Sequence, residues 1–481
     1  YVDAGVNWKF ESAPHPRLDN RQIYVPRGKT LGGTSSINGM VYMRGNPRDY
    51  DDWRQQGNAG WDWDSVLPFF KKAESWNGAT NDLRGTKGPL HTAFGRYRMP
   101  LFDAFLNAGK QAGYKFNPDY NSEEQEGFVW TQYTHTHRFP MRCSAARAYV
   151  WPALRRKNLA VWTKARVRRL VMDGKHVTGV ELEHKGRSLK VSANREVILS
   201  AGAYHSPQLL MLSGIGDPAV LASQGIDCAH ALKGVGKNLQ DHVGGFVQHR
   251  CTKPITYYNM TRPLKLMAAV LQYVLTRSGP LAIFPMNTMA FLKSDPALER
   301  PDIQYYLLPA AMNPNGSEDH FPKFHGYNIH WCGLRPDSTG HVGLRSPDPY
   351  DAPVVVHNYL TAKSDQALNR YAFRLARKLH AQTAFDEFRG EELDPGPACN
   401  SDDEIDSYMS RFISSHYHPV GTCKMGTDDM AVVDPALRVH GLNGLRVIDA
   451  SIMPRLVGAN TNAPTIMIGE KGADLILRAA H

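Results

Sequence analysis

Glu196-Val-Ile-Leu-Ser-Ala-Gly-Ala-Tyr-His-Ser-Pro-Gln-Leu-Leu-Met-Leu-Ser-Gly-Ile-Gly216 decides the fold of this chain. Glu196 to Ala203 reads as an apolar strand ending in small residues, and Ser206 to Gly216 as a helix opened by Pro207 and closed by glycine. Strand, small-residue turn, helix is the order that lets a dinucleotide pass over the end of a sheet. Just upstream the apolar period drops to two. Ala160 to Met172, a turn at Asp173-Gly174, then Val177 to Glu183 and Leu189 to Ala193 predict a small antiparallel meander.

Downstream, Leu445 to Pro454 reads as a buried strand ending in polar residues. A helix follows from Thr465 to Ala480, with Pro464 near its first position and Asn462 as the capping side chain. Residues 245–410 mix strands such as Ile303 to Pro309 and His341 to Ser346 with helices such as Asp365 to Ala381. Shorter helices are expected over Val66 to Ala73, Ala104 to Gly113 and Ser144 to Leu154. No repeat or low-complexity linker separates the textures, so the middle is stitched into an outer domain rather than strung after it.

The 481 residues suffice for two to four domains at about 150 residues each. A hydrophobic fraction of 42% with 21% charged residues is that of a soluble globular protein. No stretch approaches the roughly 20 apolar residues of a membrane span. Leu264 to Leu275 is the most apolar helix-like run, and a peripheral membrane contact by it stays open. The formal charge is +10, but Lys and Arg are spread along the chain, which argues against nucleic acid. Six scattered cysteines offer no C-x-x-C pair and no zinc spacing, so no metal site is expected and the favoured location is cytoplasmic, with or without membrane association.

Chemistry is expected at His416-Tyr-His-Pro-Val-Gly-Thr-Cys-Lys-Met-Gly426. Alternate side chains of an extended segment share a face, so His416 and His418 would project together at a strand end that Pro419 terminates. A surface turn with incidental histidines is the other reading. Arg27-Gly-Lys-Thr-Leu-Gly-Gly-Thr-Ser-Ser-Ile-Asn-Gly-Met-Val-Tyr-Met-Arg44 places Gly32, Gly33 and a hydroxyl run before an apolar segment. Such a turn offers backbone N–H groups to a phosphate or a flavin edge, with a helix dipole behind them if it opens a helix.

Taken together, these stretches resemble the glucose–methanol–choline (GMC) family of flavin oxidoreductases over nearly the whole chain. Arg27 to Arg44 is similar to its first signature and Gly202 to Gly216 to its second; Gly234 to His242 and Arg446 to Glu470 are also characteristic. The choline dehydrogenase-like and alcohol dehydrogenase branch is the most similar. The resemblance implies an α/β and α+β fold. An FAD-binding Rossmann-like domain would take 1–60, 136–244 and 411–481. An inserted substrate domain, an antiparallel sheet covered by helices, would take 61–135 and 245–410.

It also implies oxidation of an alcohol to an aldehyde or ketone by hydride transfer to flavin N5, as a dehydrogenase or an oxidase. By motif position His418 corresponds to the base and Asn460 to its catalytic partner, with His416 in support. Arg27, Gly32, Gly33, Thr34, Asn38 and Gly39 would meet the FAD through the first signature. Val167 would contact the adenine, Asp449 and Ala450 the pyrophosphate and ribityl region, and Thr461 and Asn462 the pyrimidine end. Ile37 stands where some relatives carry a flavin-linked histidine, so the FAD is expected to be noncovalent.

The chain opens Tyr1-Val-Asp-Ala-Gly-Val-Asn-Trp, and no G-x-G-x-x-G unit precedes Arg27. The expectation is therefore a sequence lacking the roughly 30 residues of one βαβ unit, and an inactive truncated flavoprotein fragment is one alternative. A lyase or a photodecarboxylase on the same scaffold is another; the intact His418-Pro419 pair disfavours the second of these. The expected partners are a small-molecule alcohol and an electron acceptor: a quinone, a cytochrome or oxygen. Phe284, Met286, Tyr305 and Trp331 hint at an apolar alcohol, although packing is the commoner role for such side chains.

Overall fold

The computed structural model describes residues 5–313 and 322–479. Caps and prolines set the first helices. In α1 (Pro47–Gln55), Pro47 opens the helix and Asn46 with Asp49 forms a capping box; in α2 (Trp63–Ala73), Asp62 accepts from the Ser65 N–H. α3 (Pro100–Gln111) begins at its proline, one turn before the expected Ala104, and Gly113 follows at φ +92. Strand β1 (Gly127–Trp130) comes next. The helix expected over Ser144 to Leu154 is a wide turn, Ala146–Val150, running into Trp151–Ala153.

The meander is β2 (Ala165–Asp173), β3 (His176–His184) and β4 (Arg187–Ser192), antiparallel throughout. β2 begins later than the alternation at Ala160 suggests. Residues 160–164 are exposed and Lys164 has φ +54, so the chain is not yet extended.

β5 (Val197–Leu199) passes through Gly202 into α4 (Gly202–Leu212), which corrects the expected helix start: Pro207 lies inside the helix. A proline at that point cannot bond the carbonyl four residues back. The Thr422 hydroxyl donates to that carbonyl, Ala203 O, at 2.6 Å instead. The proline defect thereby ties α4 to the segment just after His418.

The middle of the chain supplies β6 (Phe246–Cys251), α5 (Pro263–Thr276), β7 (Thr288–Leu292), β8 (Ile303–Leu308), β9 (Gly326–Gly333), α6 (Lys363–His380) and β10 (Arg389–Asp394). With β1 these strands make one antiparallel sheet in the order β10-β6-β9-β8-β7-β1. Tyr305 and Trp331 are opposite each other in register, and both reach α6: the Tyr305 hydroxyl donates to Ala372 O at 3.0 Å and Trp331 Nε1 to Asn369 Oδ1 at 3.0 Å. Both are core residues and not part of a substrate wall. One step along, the pair Tyr306 and His330 turns to the other face of the sheet.

α7 (Asp402–Phe412) starts with a Ser401/Glu404 capping box. β11 (Leu445–Val447) pairs in parallel with β5, and α8 (Asn462–Ala479) closes the described chain. α8 begins at Asn462, so Asn462 is a helical residue rather than the expected cap and Pro464 is the third residue of the helix. Ala480 lies outside the described residues. The chain leaving Asn38 and Gly39 is braced by Arg44, which is fully buried and donates to Glu74 at 2.7 Å and to Leu83 O at 2.6 Å. Removing one partner of such a buried pair costs about 3–5 kcal/mol, so this end of the first signature is rigidly held.

Candidate active site

Ser414 and Ser415 pair antiparallel with Gly244 and Val243, and the His416 N–H donates to His242 O at 2.9 Å. The strand ends there. Tyr417 has φ +67, a left-handed conformation that a bulky residue rarely adopts. The two histidines are therefore not alternate residues of one extended segment, as their spacing suggested. Two groups hold the kink: Arg27 donates to Tyr417 O at 2.8 Å, and Asp241 Oδ1 accepts the His418 N–H at 2.7 Å.

The His418 ring sits at the end of a polar chain. His242 Nε2 is 3.0 Å from Leu334 O, and a carbonyl can only accept, so that nitrogen carries a proton. Burial pushes His242 down to about 4, so its ring is neutral and Nδ1 is bare. His418 Nδ1 lies 2.9 Å from this bare nitrogen and must therefore be the donor. The His418 ring is also held neutral, well below the usual histidine value, by burial first and then by His242, His416 and Arg27. Its remaining nitrogen, Nε2, is thus an unprotonated base, 2.9 Å from Asn460 Nδ2.

Asn460 is oriented from its other end by Gln304, whose Nε2 is 3.4 Å from Asn460 Oδ1. The loop before it is pinned at several points. Asp49 Oδ2 accepts the Gly458 N–H at 2.8 Å, Gln125 donates to Gly458 O at 2.8 Å, and Gln240 accepts from Leu456 N at 3.1 Å while donating to Pro454 O at 3.2 Å. Three consecutive residues thus serve both partners: Gln240 the Asn460 loop, Asp241 the His418 backbone, His242 the His418 ring. The sequence marked Gly234 to His242 as characteristic without giving these residues a role.

His416 takes a different partner, the Tyr306 hydroxyl, and Tyr306 stacks on His330 with centroids 5.2 Å apart. Burial holds His416 well below its ordinary value and takes His330 to about 3. Four neutral imidazoles, those of His242, His330, His416 and His418, therefore gather where the sheet meets this segment.

The residues expected at the cofactor are placed as follows. Gly32 has φ +86, and a Cβ there would lie 2.9 Å from the Ala146 nitrogen; Gly33 opens a single 3-10 turn rather than the helix that would give a strong dipole. Thr34 Oγ1 accepts from Gly28 N at 3.2 Å, Asn38 Oδ1 accepts from Arg142 at 2.7 Å, and Gly39 faces the Phe284 ring. The Asp449 carboxylate is fully engaged inside the protein, accepting from Gly202 N at 2.8 Å and from the Ser206 and Ser451 hydroxyls at 2.5 Å, so only the backbone of Asp449 and Ala450 is left for a ligand. Thr461 O takes the Thr465 N–H and Asn462 starts α8. Val167 lies on β2 in the meander, in register with Leu182.

This set fits FAD. The backbones of Gly33 and Gly202 both have positive φ and face open space, since a Cβ would meet nothing within 4 Å. Arg27 Nε is buried without a partner among the described residues. Gly202 and Asp449 also follow the carboxyl ends of the parallel strands β5 and β11, where α/β sheets take their ligands.

Comparison with known proteins shows the family of the chain. Residues 5–244 and 336–469 match two family models, each described as GMC oxidoreductase. The oxygen-dependent choline dehydrogenases of Brucella ovis and Rhizobium etli are 44% and 46% identical over 474 and 473 residues, covering 98% of this chain and 85% of each relative. Pyridoxine 4-oxidase from Mesorbium loti superposes with a TM-score of 0.88 at 31% identity, over 98% of this chain and 89% of that one. A fungal aryl-alcohol oxidase gives 0.89 at 26% identity, over 100% and 90%.

Two outcomes follow from the imidazole chain. His242→Leu leaves His418 without its acceptor; kcat is expected to fall on the order of 10–100-fold with KM and flavin content little changed, and His242→Gln, whose amide can accept and donate, restores part of the loss. An unchanged kcat in His242→Leu contradicts the arrangement. The folded pKa of His242 lies below its unfolded value of 6.5, so the folded state binds fewer protons, and its stability is fully present above 6.5 and is lost as pH falls toward 4. The unfolding free energy from denaturant titrations should drop across that window by up to about 1.4 kcal/mol per pH unit for this one group, and the drop should be shallower in His242→Gln.

Proposed function

This chain belongs to the GMC oxidoreductase family and is an FAD-dependent oxidoreductase of alcohols, and from that premise we propose that His418 is the base and Asn460 its partner on the substrate oxygen. The observation that carries the reading is the bare Nε2 of His418 facing the Asn460 amide at 2.9 Å. An alcohol oxygen between them donates its proton to Nε2 and accepts from the Asn460 N–H, replacing the direct contact with two of matching sense. The substrate O–H finds a neutral acceptor without any prior proton loss, because burial and the neighbouring rings keep His418 uncharged. Fixing the oxygen between two braced side chains also fixes the carbinol C–H, a proximity contribution to the rate.

Arg27, Gly32, Gly33, Thr34, Asn38, Gly39, Val167, Thr461, Asn462 and the backbone of Asp449 and Ala450 would hold FAD, without a covalent bond because Ile37 has no nucleophilic atom. When bound, FAD supplies the acceptor for the hydride that leaves the carbinol carbon, so the alcohol departs as its aldehyde or ketone. The protein acts on a small-molecule substrate and passes electrons to an acceptor. We assign a primary alcohol as substrate, choline first, because relatives 44% and 46% identical over nearly the whole chain are choline dehydrogenases. Oxygen is the first acceptor to test, since both are named oxygen-dependent; a quinone or a cytochrome is the alternative. No described helix is long and apolar enough to cross a membrane. A cytoplasmic protein touching the membrane peripherally through Leu264 to Leu275 completes the reading.

His418→Ala should keep its yellow flavin and lose alcohol-driven bleaching in anaerobic stopped-flow by about 10²–10⁴-fold. Near-normal bleaching sinks the assignment of the base.

A further inference from the structure

We propose that α5 is a docking helix for a bilayer carrying anionic headgroups, lying flat in the interface with its apolar stripe toward the acyl chains. The proposal deepens the reading of a peripheral membrane contact and rests on it. Only Ala269 of this 14-residue helix is buried. Leu264, Met267, Leu271, Val274 and Leu275 are 79%, 65%, 59%, 52% and 72% exposed, and their spacing puts them along one face. A row of large apolar side chains so exposed is a binding surface rather than scattered surface apolarity. At 1.5 Å per residue the helix is about 21 Å long, too short to span, so a membrane can take it only in the interfacial plane.

Charge selects the occupant. Between Asp241 and Asp295 the sequence has Arg250, Lys253, Arg262, Lys265, Arg277 and Lys293 and no acidic residue. Arg250, Lys253 and Lys293 are matched by Glu391, Glu387 and Glu126. Arg262 and Arg277, at the two ends of the helix, and Lys265, beside the apolar stripe, have no carboxylate partner among the described residues. The neighbouring loop adds Phe139 and Met141, 45% and 37% exposed, with Arg277 over the Phe139 ring at 5.7 Å and Tyr273 bonded to Pro140 O at 3.1 Å. An isologous contact between two copies through this stripe would bring like charges together. An anionic lipid surface complements them.

The FAD-loaded full chain is floated through a density gradient with vesicles of phosphatidylcholine alone or with added phosphatidylglycerol, beside Leu271→Glu and Lys265→Glu. Alcohol oxidation with a soluble artificial acceptor reports folding, and light scattering reports the oligomeric state. Wild type is expected to float with the phosphatidylglycerol vesicles and to be released by high salt. Leu271→Glu is expected to lose at least about tenfold of the bound fraction with oxidation unchanged, and Lys265→Glu to bind more weakly. Flotation that survives in Leu271→Glu overturns the role of α5 while leaving membrane contact standing. Wild type that stays behind with both vesicles overturns both. A dimer that Leu271→Glu dissociates, with no flotation, assigns the stripe to a second copy and overturns the proposal.

Discussion

Two imidazole nitrogens 2.9 Å apart, His242 Nδ1 and His418 Nδ1, impose the constraint on which the site depends. Such a contact is stable only when one nitrogen donates and the other accepts, so His242 cannot be charged without breaking it, whereas His418 can take a proton on Nε2 and still donate from Nδ1. The Leu334 carbonyl sets the sense of the chain, because it fixes the proton of His242 on Nε2. The result appears at the far end, where His418 turns a bare nitrogen toward Asn460. A backbone carbonyl thus decides which nitrogen of the proposed base is free.

That chain is useful only if its members are held, and the supports come from distant parts of the sequence. Arg27 and Asp241 stabilise the left-handed Tyr417, a conformation that costs on the order of 1–3 kcal/mol and persists only when its surroundings enforce it. Pro207 leaves Ala203 O free for Thr422, anchoring the stretch after His418 to α4. Gln240, Asp241 and His242 brace the Asn460 loop and His418 together, so the separation between the two partners is set largely by one tripeptide.

Much of this was legible in the sequence, and what was not has identifiable causes. Strand β5 and the meander follow from local apolar periodicity, while the antiparallel sheet of the middle region was implied by the GMC resemblance, whose signatures also pointed to His418 and Asn460. Period-two reasoning failed at His416 to His418 because Tyr417 is left-handed, and at Ala160 because Lys164 is. The helix start expected at Ser206 moved to Gly202 because a tertiary partner, Thr422, supplies the bond that Pro207 removes. The roles of Asp241, His242 and Gln304 were not readable. Their contacts join residues 156 to 177 positions apart in sequence, and no local pattern encodes them.

The protonation of His418 is the point where geometry and chemistry meet, and nitrogen-15 NMR of histidine-labelled, FAD-loaded protein at neutral pH reads it directly, with His418→Gln identifying the signal. The structure predicts a neutral ring with its proton on Nδ1 and a bare Nε2. A proton on Nε2, or an imidazolium, would contradict it.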